Sequence, residues 1–161
     1  MSINLNDTLP AAPAGKTNAT WLKDGSGNVS ASVPNSAIEV TASSVDLLTQ
    51  GANISATDLI AAGSVVAGLY RITVFIIVTR AATSSSTMPK VTITWTDKDN
   101  STPQSFDVTA SNAGNLLTTF AQGSLILDAK TAVAVQYATA SFATSGATSM
   151  QYSLHLRVET L

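Results

Sequence analysis

The stretch Gly68-Leu69-Tyr70-Arg71-Ile72-Thr73-Val74-Phe75-Ile76-Ile77-Val78-Thr79-Arg80-Ala81 decides how the chain is read. It is rich in β-branched and aromatic residues, which pack well on a pleated surface. Its even positions, Tyr70, Ile72, Val74, Ile76 and Val78, are all apolar, the period-2 mark of a strand face turned to a core. The odd positions run Leu69, Arg71, Thr73, Phe75, Ile77, Thr79, polar toward the ends and apolar in the middle. A solvated outer face has no need of Phe75 and Ile77. Something is expected to cover them, either another subunit or another layer of the same chain. A bilayer is not that cover. Val65 to Val78 is shorter than the roughly 20 residues a membrane helix needs, and Arg71 interrupts it.

Outward from this strand, the pattern repeats at short intervals. Lys90–Thr96 alternates, with Val91, Ile93 and Trp95 on one face and threonines on the other. Asp97 to Pro103 is a turn cluster, and Ser105–Thr109 returns with Phe106 and Val108 expected inward. Leu116–Phe120, Ser124–Leu127 and Thr131–Tyr137 read as further strands, punctuated by Gly114, Gly123 and the Asp128-Ala129-Lys130 turn. In the last run Met150, Tyr152, Leu154, Leu156 and Val158 face one way, and Gln151, Ser153, His155, Arg157 and Glu159 the other. Before the central strand, Ile38–Thr41 and Ser44–Leu48 alternate weakly. Ser55 to Asp58 reads either as the cap of a short helical turn at Leu59–Ala62 or as loop. Thr83 to Thr87 reads as a polar loop. About eight strands after residue 37, with no long amphipathic helix, predict an all-β fold: an antiparallel, jelly-roll-like β-sandwich over 37–161.

Residues 1–36 are expected to be an appendage to that sandwich. Leu9, Pro10 and Pro13 belong to an extended arm, because proline withholds a backbone donor and favours polyproline-like chain. Ala19–Lys23 and Val29–Val33, joined by Asp24-Gly25-Ser26-Gly27-Asn28, read as a β-hairpin.

Composition narrows the function. The 161 residues predict one main domain burying roughly 70% of its unfolded surface. Only 11% are charged, against about 25% in ordinary domains. Ser, Thr, Asn and Gln carry the polarity instead, and uncharged groups are easier to desolvate against other protein. The net charge of −2, with basic residues scattered, argues against nucleic acid. With no cysteine there is no disulfide, thiolate metal site or cysteine nucleophile. No signal peptide is evident at Met1–Asp7, so synthesis in a cytoplasm is expected.

Catalytic chemistry is tested and set aside. His155 is the single histidine, with Ser153 and Arg157 beside it on one strand face rather than converging from separate loops. Asp97-Lys98-Asp99-Asn100-Ser101 imitates the first half of a calcium loop but lacks its sixth-position glycine and twelfth-position glutamate. The Asp24–Asn28 loop has no strand-to-helix junction for a phosphate. No enzyme, cofactor or metal is expected.

Thr8-Leu9-Pro10-Ala11-Ala12-Pro13-Ala14-Gly15-Lys16-Thr17-Asn18-Ala19-Thr20-Trp21, followed by Asp24 to Pro34, resembles an N-terminal segment of tailed-phage and prophage virion proteins. The remainder is similar to trimeric jelly rolls of the TNF/C1q-like kind, with Gly68-Leu69-Tyr70-Arg71-Ile72 opening the sandwich and Tyr152-Ser153-Leu154-His155-Leu156 closing it. The resemblance implies a homotrimeric capsid decoration (cement) protein on the virion surface. Its partners would be itself and the major capsid protein, with Phe75 and Ile77 in the trimer interface. Leu9, Pro10, Pro13 and Trp21 would touch the capsid or a neighbour. A receptor- or glycan-binding head or tail fibre tip is the alternative, with Trp21 and Phe142 as its best loop aromatics.

Overall fold

The computed structural model describes residues 20–23, 29–32 and 41–161. The chain divides into two compact units, Met1–Ile38 and Glu39–Leu161. In the first, β1 (Thr20–Lys23) and β2 (Val29–Ser32) form an antiparallel hairpin with Trp21 opposite Ala31. Leu9, Pro10 and Pro13 lie outside the described residues.

The second unit is all β. In chain order its strands are β3 (Thr41–Gln50), β4 (Thr57–Ile60), β5 (Gly68–Arg80), β6 (Ser85–Met88), β7 (Lys90–Thr96), β8 (Pro103–Thr109), β9 (Asn112–Ala113), β10 (Phe120–Ala129), β11 (Val135–Ala140), β12 (Ala143–Ser145) and β13 (Gln151–Thr160). Eight of them make two four-stranded antiparallel sheets, ordered β10-β5-β13-β3 and β4-β11-β7-β8. The pairing is nested. The first of the eight lies against the last (β3 with β13), the second against the seventh (β4 with β11), the third against the sixth (β5 with β10), and β7 with β8 closes the fold. A long antiparallel strip rolled on itself gives this nesting, and it defines a jelly roll. A small third sheet, β12-β6-β9, lies outside the two.

Alternation along the strands makes the core. On β5, Tyr70, Ile72, Val74, Ile76 and Val78 are all at most 3% exposed. On β13, Leu154, Leu156 and Val158 are fully buried and stand directly across from Ile76, Val74 and Ile72. Such cross-strand pairs are the unit of sheet stabilisation. Val91 and Ile93 of β7, and Val135 and Tyr137 of β11, complete one continuous core between the sheets. Each fully buried aliphatic contributes roughly 1.5–3 kcal/mol by burial.

Several buried polar groups are matched across the core, while the Trp95 Nε1 and one Asp128 carboxylate oxygen have no partner among the described residues. The Ile54 N–H donates to Thr139 Oγ1 (2.7 Å), and the Tyr152 hydroxyl donates to the Ala52 carbonyl (2.7 Å), leaving the Thr139 hydroxyl to donate to Tyr152 (3.1 Å). Burial raises the Tyr152 phenol above its ordinary pKa. Asn115 Oδ1 accepts the Ala82 N–H and Asn115 Nδ2 donates to the Ala82 carbonyl, both at 2.6 Å, fixing the approach to β10.

Several local expectations are corrected. Thr57–Ile60 is neither helical turn nor loop but strand β4, because Leu59 and Ile60 enter the core and the segment pairs with β11. The helical turn, of the 3-10 kind, comes later at Ala62–Ser64. Ser85–Met88 is a strand rather than loop, held by β9 and β12 on its two sides. Leu116–Phe120 is not a strand; Thr119 N–H returns to the Leu116 carbonyl in a turn, and the strand starts at Phe120. Gly123 falls inside β10, where a methyl group would overlap the Val108 carbonyl oxygen. Glycine is needed there because edge strands β8 and β10 of the two sheets pass closely. Phe106, expected inward, is half exposed because β8 is an edge strand with no strand beyond it.

Candidate functional site

The site is the outer face of the β10-β5-β13-β3 sheet. Every second residue of β5 points there, so Phe75 and Ile77 do share that face, both half-buried. The register brings Phe120 of β10 opposite Ile77, and His155 of β13 opposite Phe75. Phe75 and Phe120 stack at 5.9 Å between ring centroids, and Phe75 meets the His155 ring at 6.3 Å. Phe120 is nevertheless 51% exposed. The turn before β10 carries Leu116 and Leu117, both exposed, and the Val78 N–H donating to the Thr119 carbonyl ties that turn to the end of β5. Phe75, Ile77 and Phe120 are therefore gathered toward one end of the face.

Charges, with exposed Leu69 and Ile126, occupy the rest of it. Asp46 of β3 lies across from His155 and accepts from its Nδ1 at 2.6 Å, while Arg157 Nη2 reaches Asp46 Oδ2 at 3.0 Å. Hydrogen bonds from His155 and then Arg157 hold the Asp46 carboxyl below its ordinary pKa. One step along the sheet, Arg71 pairs with Glu159 at 3.3 Å. These pairs are exposed and each is worth little alone.

Of the other sequence-derived candidates, Leu9, Pro10 and Pro13 lie outside the described residues, and Trp21 lies in β1 of the first unit with its side chain likewise outside them. Phe142 packs on Tyr152 at 5.9 Å rather than standing free on a loop. Sequence reasoning missed Phe120 and Asp46. The signal for Asp46 was available, since in a jelly roll the first strand must lie beside the last, opposite His155.

His155 and Asp46 form a dyad, but no hydroxyl among the described residues bonds to the imidazole. The Asp97 carboxylate accepts the Asp99 and Asn100 N–H groups, which makes Asp97 to Thr102 a turn closed on itself. Among the described residues no three His, Cys, Asp or Glu side chains gather as metal ligands.

No protein family matches the chain, and no curated protein sequence does. Among solved structures, a likeness is found to the CBM22-1–GH10 modules of the Clostridium thermocellum endo-1,4-β-D-xylanase 10B, crystallised with xylohexaose. The identity is 9%, the match covers 65% of this chain and 19% of that one, and the TM-score is 0.38. A likeness that distant carries no argument about function.

Proposed function

We propose that this chain is a structural subunit of a tailed-phage virion: a homotrimeric capsid decoration protein with no catalytic role, made in the host bacterial cytoplasm. The observation that carries the reading is the outer sheet face with Phe75, Ile77 and Phe120 together on it and ion pairs of both signs on the same sheet. Contiguous apolar surface of this kind marks a protein partner, and charges of both signs suit a second copy of the same chain. Covering the exposed parts of Phe75, Ile77 and Phe120 contributes about 2–4 kcal/mol per interface. The resemblance of residues 8–34 to virion N-terminal segments supplies the capsid as the second partner.

Two measurements test this. Light scattering at micromolar concentration should give the mass of three chains, and a stable monomer would end the trimer reading. Incubation with capsids lacking decoration should load the full chain but not a chain without residues 1–36. Equal loading of the two would move the capsid contact off the N-terminal unit.

A further inference from the structure

The chain has a single histidine, and the fold sets it among the apolar residues of the outer β10-β5-β13-β3 face. His155 stands directly across from Phe75 of β5, with their rings 6.3 Å apart. The next pair on that face is Ser153 with Ile77. A partner laid over Phe75 and Ile77 therefore also covers the imidazole.

The charges around the imidazole can be followed strand by strand. On β3, Asp46 lies opposite and accepts from Nδ1 at 2.6 Å. On β13, Arg157 is the next residue of the same face, and its Nη2 takes the same carboxylate at 3.0 Å. On β5 the neighbours are Thr73, Phe75 and Ile77, and beyond Phe75 on β10 comes Gln122, none of which titrates. Arg71 and Glu159, two pairs along, neutralise each other at 3.3 Å. With the imidazole neutral, Asp46 and Arg157 cancel and the cluster has no net charge. With the imidazole protonated, each chain carries one positive charge there.

That charge matters once the face is covered. In the free chain an imidazolium beside Asp46 keeps its water. Under a second copy it loses that water, while the carboxylate opposite is shared with Arg157. A charge taken out of water without full pairing is costly. We propose that His155 makes assembly acid-sensitive: copies associate with the imidazole neutral and separate once it is protonated. This inference rests on the trimer reading. No other side chain of the sequence ordinarily changes charge between about pH 5 and 8. Below the histidine range each chain sheds a proton on associating, so the three-chain association constant falls by up to roughly a thousandfold per pH unit, tenfold for each proton.

The test follows the full chain by light scattering at one micromolar concentration from about pH 8 to about pH 5, the span of histidine titration. Circular dichroism is recorded alongside. The mass should fall from three chains to one toward the acid end, with the β signal retained. His155→Gln, which can still donate to Asp46 but takes up no proton, should hold the three-chain mass throughout. His155→Lys, charged over the whole range, should be a single chain even at the alkaline end. If the unmodified protein is already a single chain at the alkaline end, the trimer reading fails and this inference falls with it. If it keeps the three-chain mass to the acid end, the inference alone is overturned. It is overturned equally if His155→Gln dissociates, or unfolds as it dissociates, along the same curve as its parent.

Discussion

The two four-stranded sheets share one core but turn unlike faces outward. The outside of β10-β5-β13-β3 carries stacked Phe75 and Phe120, Ile77, and ion pairs through Asp46 and Glu159. The outside of β4-β11-β7-β8 carries threonine, serine and glutamine, and charge only at Lys90, Asp107 and Asp58. Inward positions are constrained alike by packing, so they say how the chain folds. Outward positions are free to differ, and their difference separates a face suited to protein from one suited to water.

The sharpest way to break this comparison is between neighbours on β5 and β10. Ile76→Ala, on the inner face and fully buried, should lower the unfolding free energy by about 2–5 kcal/mol in urea titrations. Phe120→Ser, on the outer face, should cost the isolated fold about 0.5 kcal/mol or less. Equal losses would mean that the outer face is part of the core.

Next in size is the seam between the sheets. Gly123→Val places a side chain against the Val108 carbonyl oxygen and should cost about 1–3 kcal/mol through backbone displacement, read as a lower melting temperature. No loss would show that the β8 and β10 edges separate freely.

Association is the third discriminator. Phe120→Ser should shift the light-scattering mass toward that of one chain, whereas Thr94→Ala on the other sheet should leave it unchanged. Dissociation by Thr94→Ala would exchange the roles of the two faces.

The smallest effect expected is electrostatic. The Asp46 carboxyl is held below its ordinary value of 3.8, so its contribution is present above that pH and is lost as pH falls through the folded-state value. Asp46→Asn should therefore lower the melting temperature slightly at neutral pH and not at all in strong acid. Added salt should shrink the difference. A difference that grows on acidification would contradict the pairing with His155 and Arg157.

What the sequence made legible follows from period and length. β5 and β13, ten residues or more with unbroken alternation, declare their inner and outer faces, and so Phe75 and Ile77 could be singled out. β4 and β6, of four residues each, are too short to display a period. Ser55 and Asp58 instead suggested a helix cap, and the Ser/Thr composition of β6 suggested a loop. Gly123 looked like a turn because the partner that requires it, the Val108 carbonyl, is distant in sequence. The same distance hid Phe120 and Asp46. Their place in the site depends on which strands become neighbours, and local pattern does not encode that.

The nesting of first strand against last also sets when this unit can fold. Asp46 and His155 stand 109 positions apart and are adjacent only after β13 exists. On a ribosome, β5 emerges long before the strand that will cover its flank, with Ile72, Val74 and Ile76 waiting and a free edge beside them. Topology of this kind makes folding slow and its intermediates sticky. Until β13 is made, that free edge is open to mispairing, and clipping within β13 should abolish the fold rather than trim it.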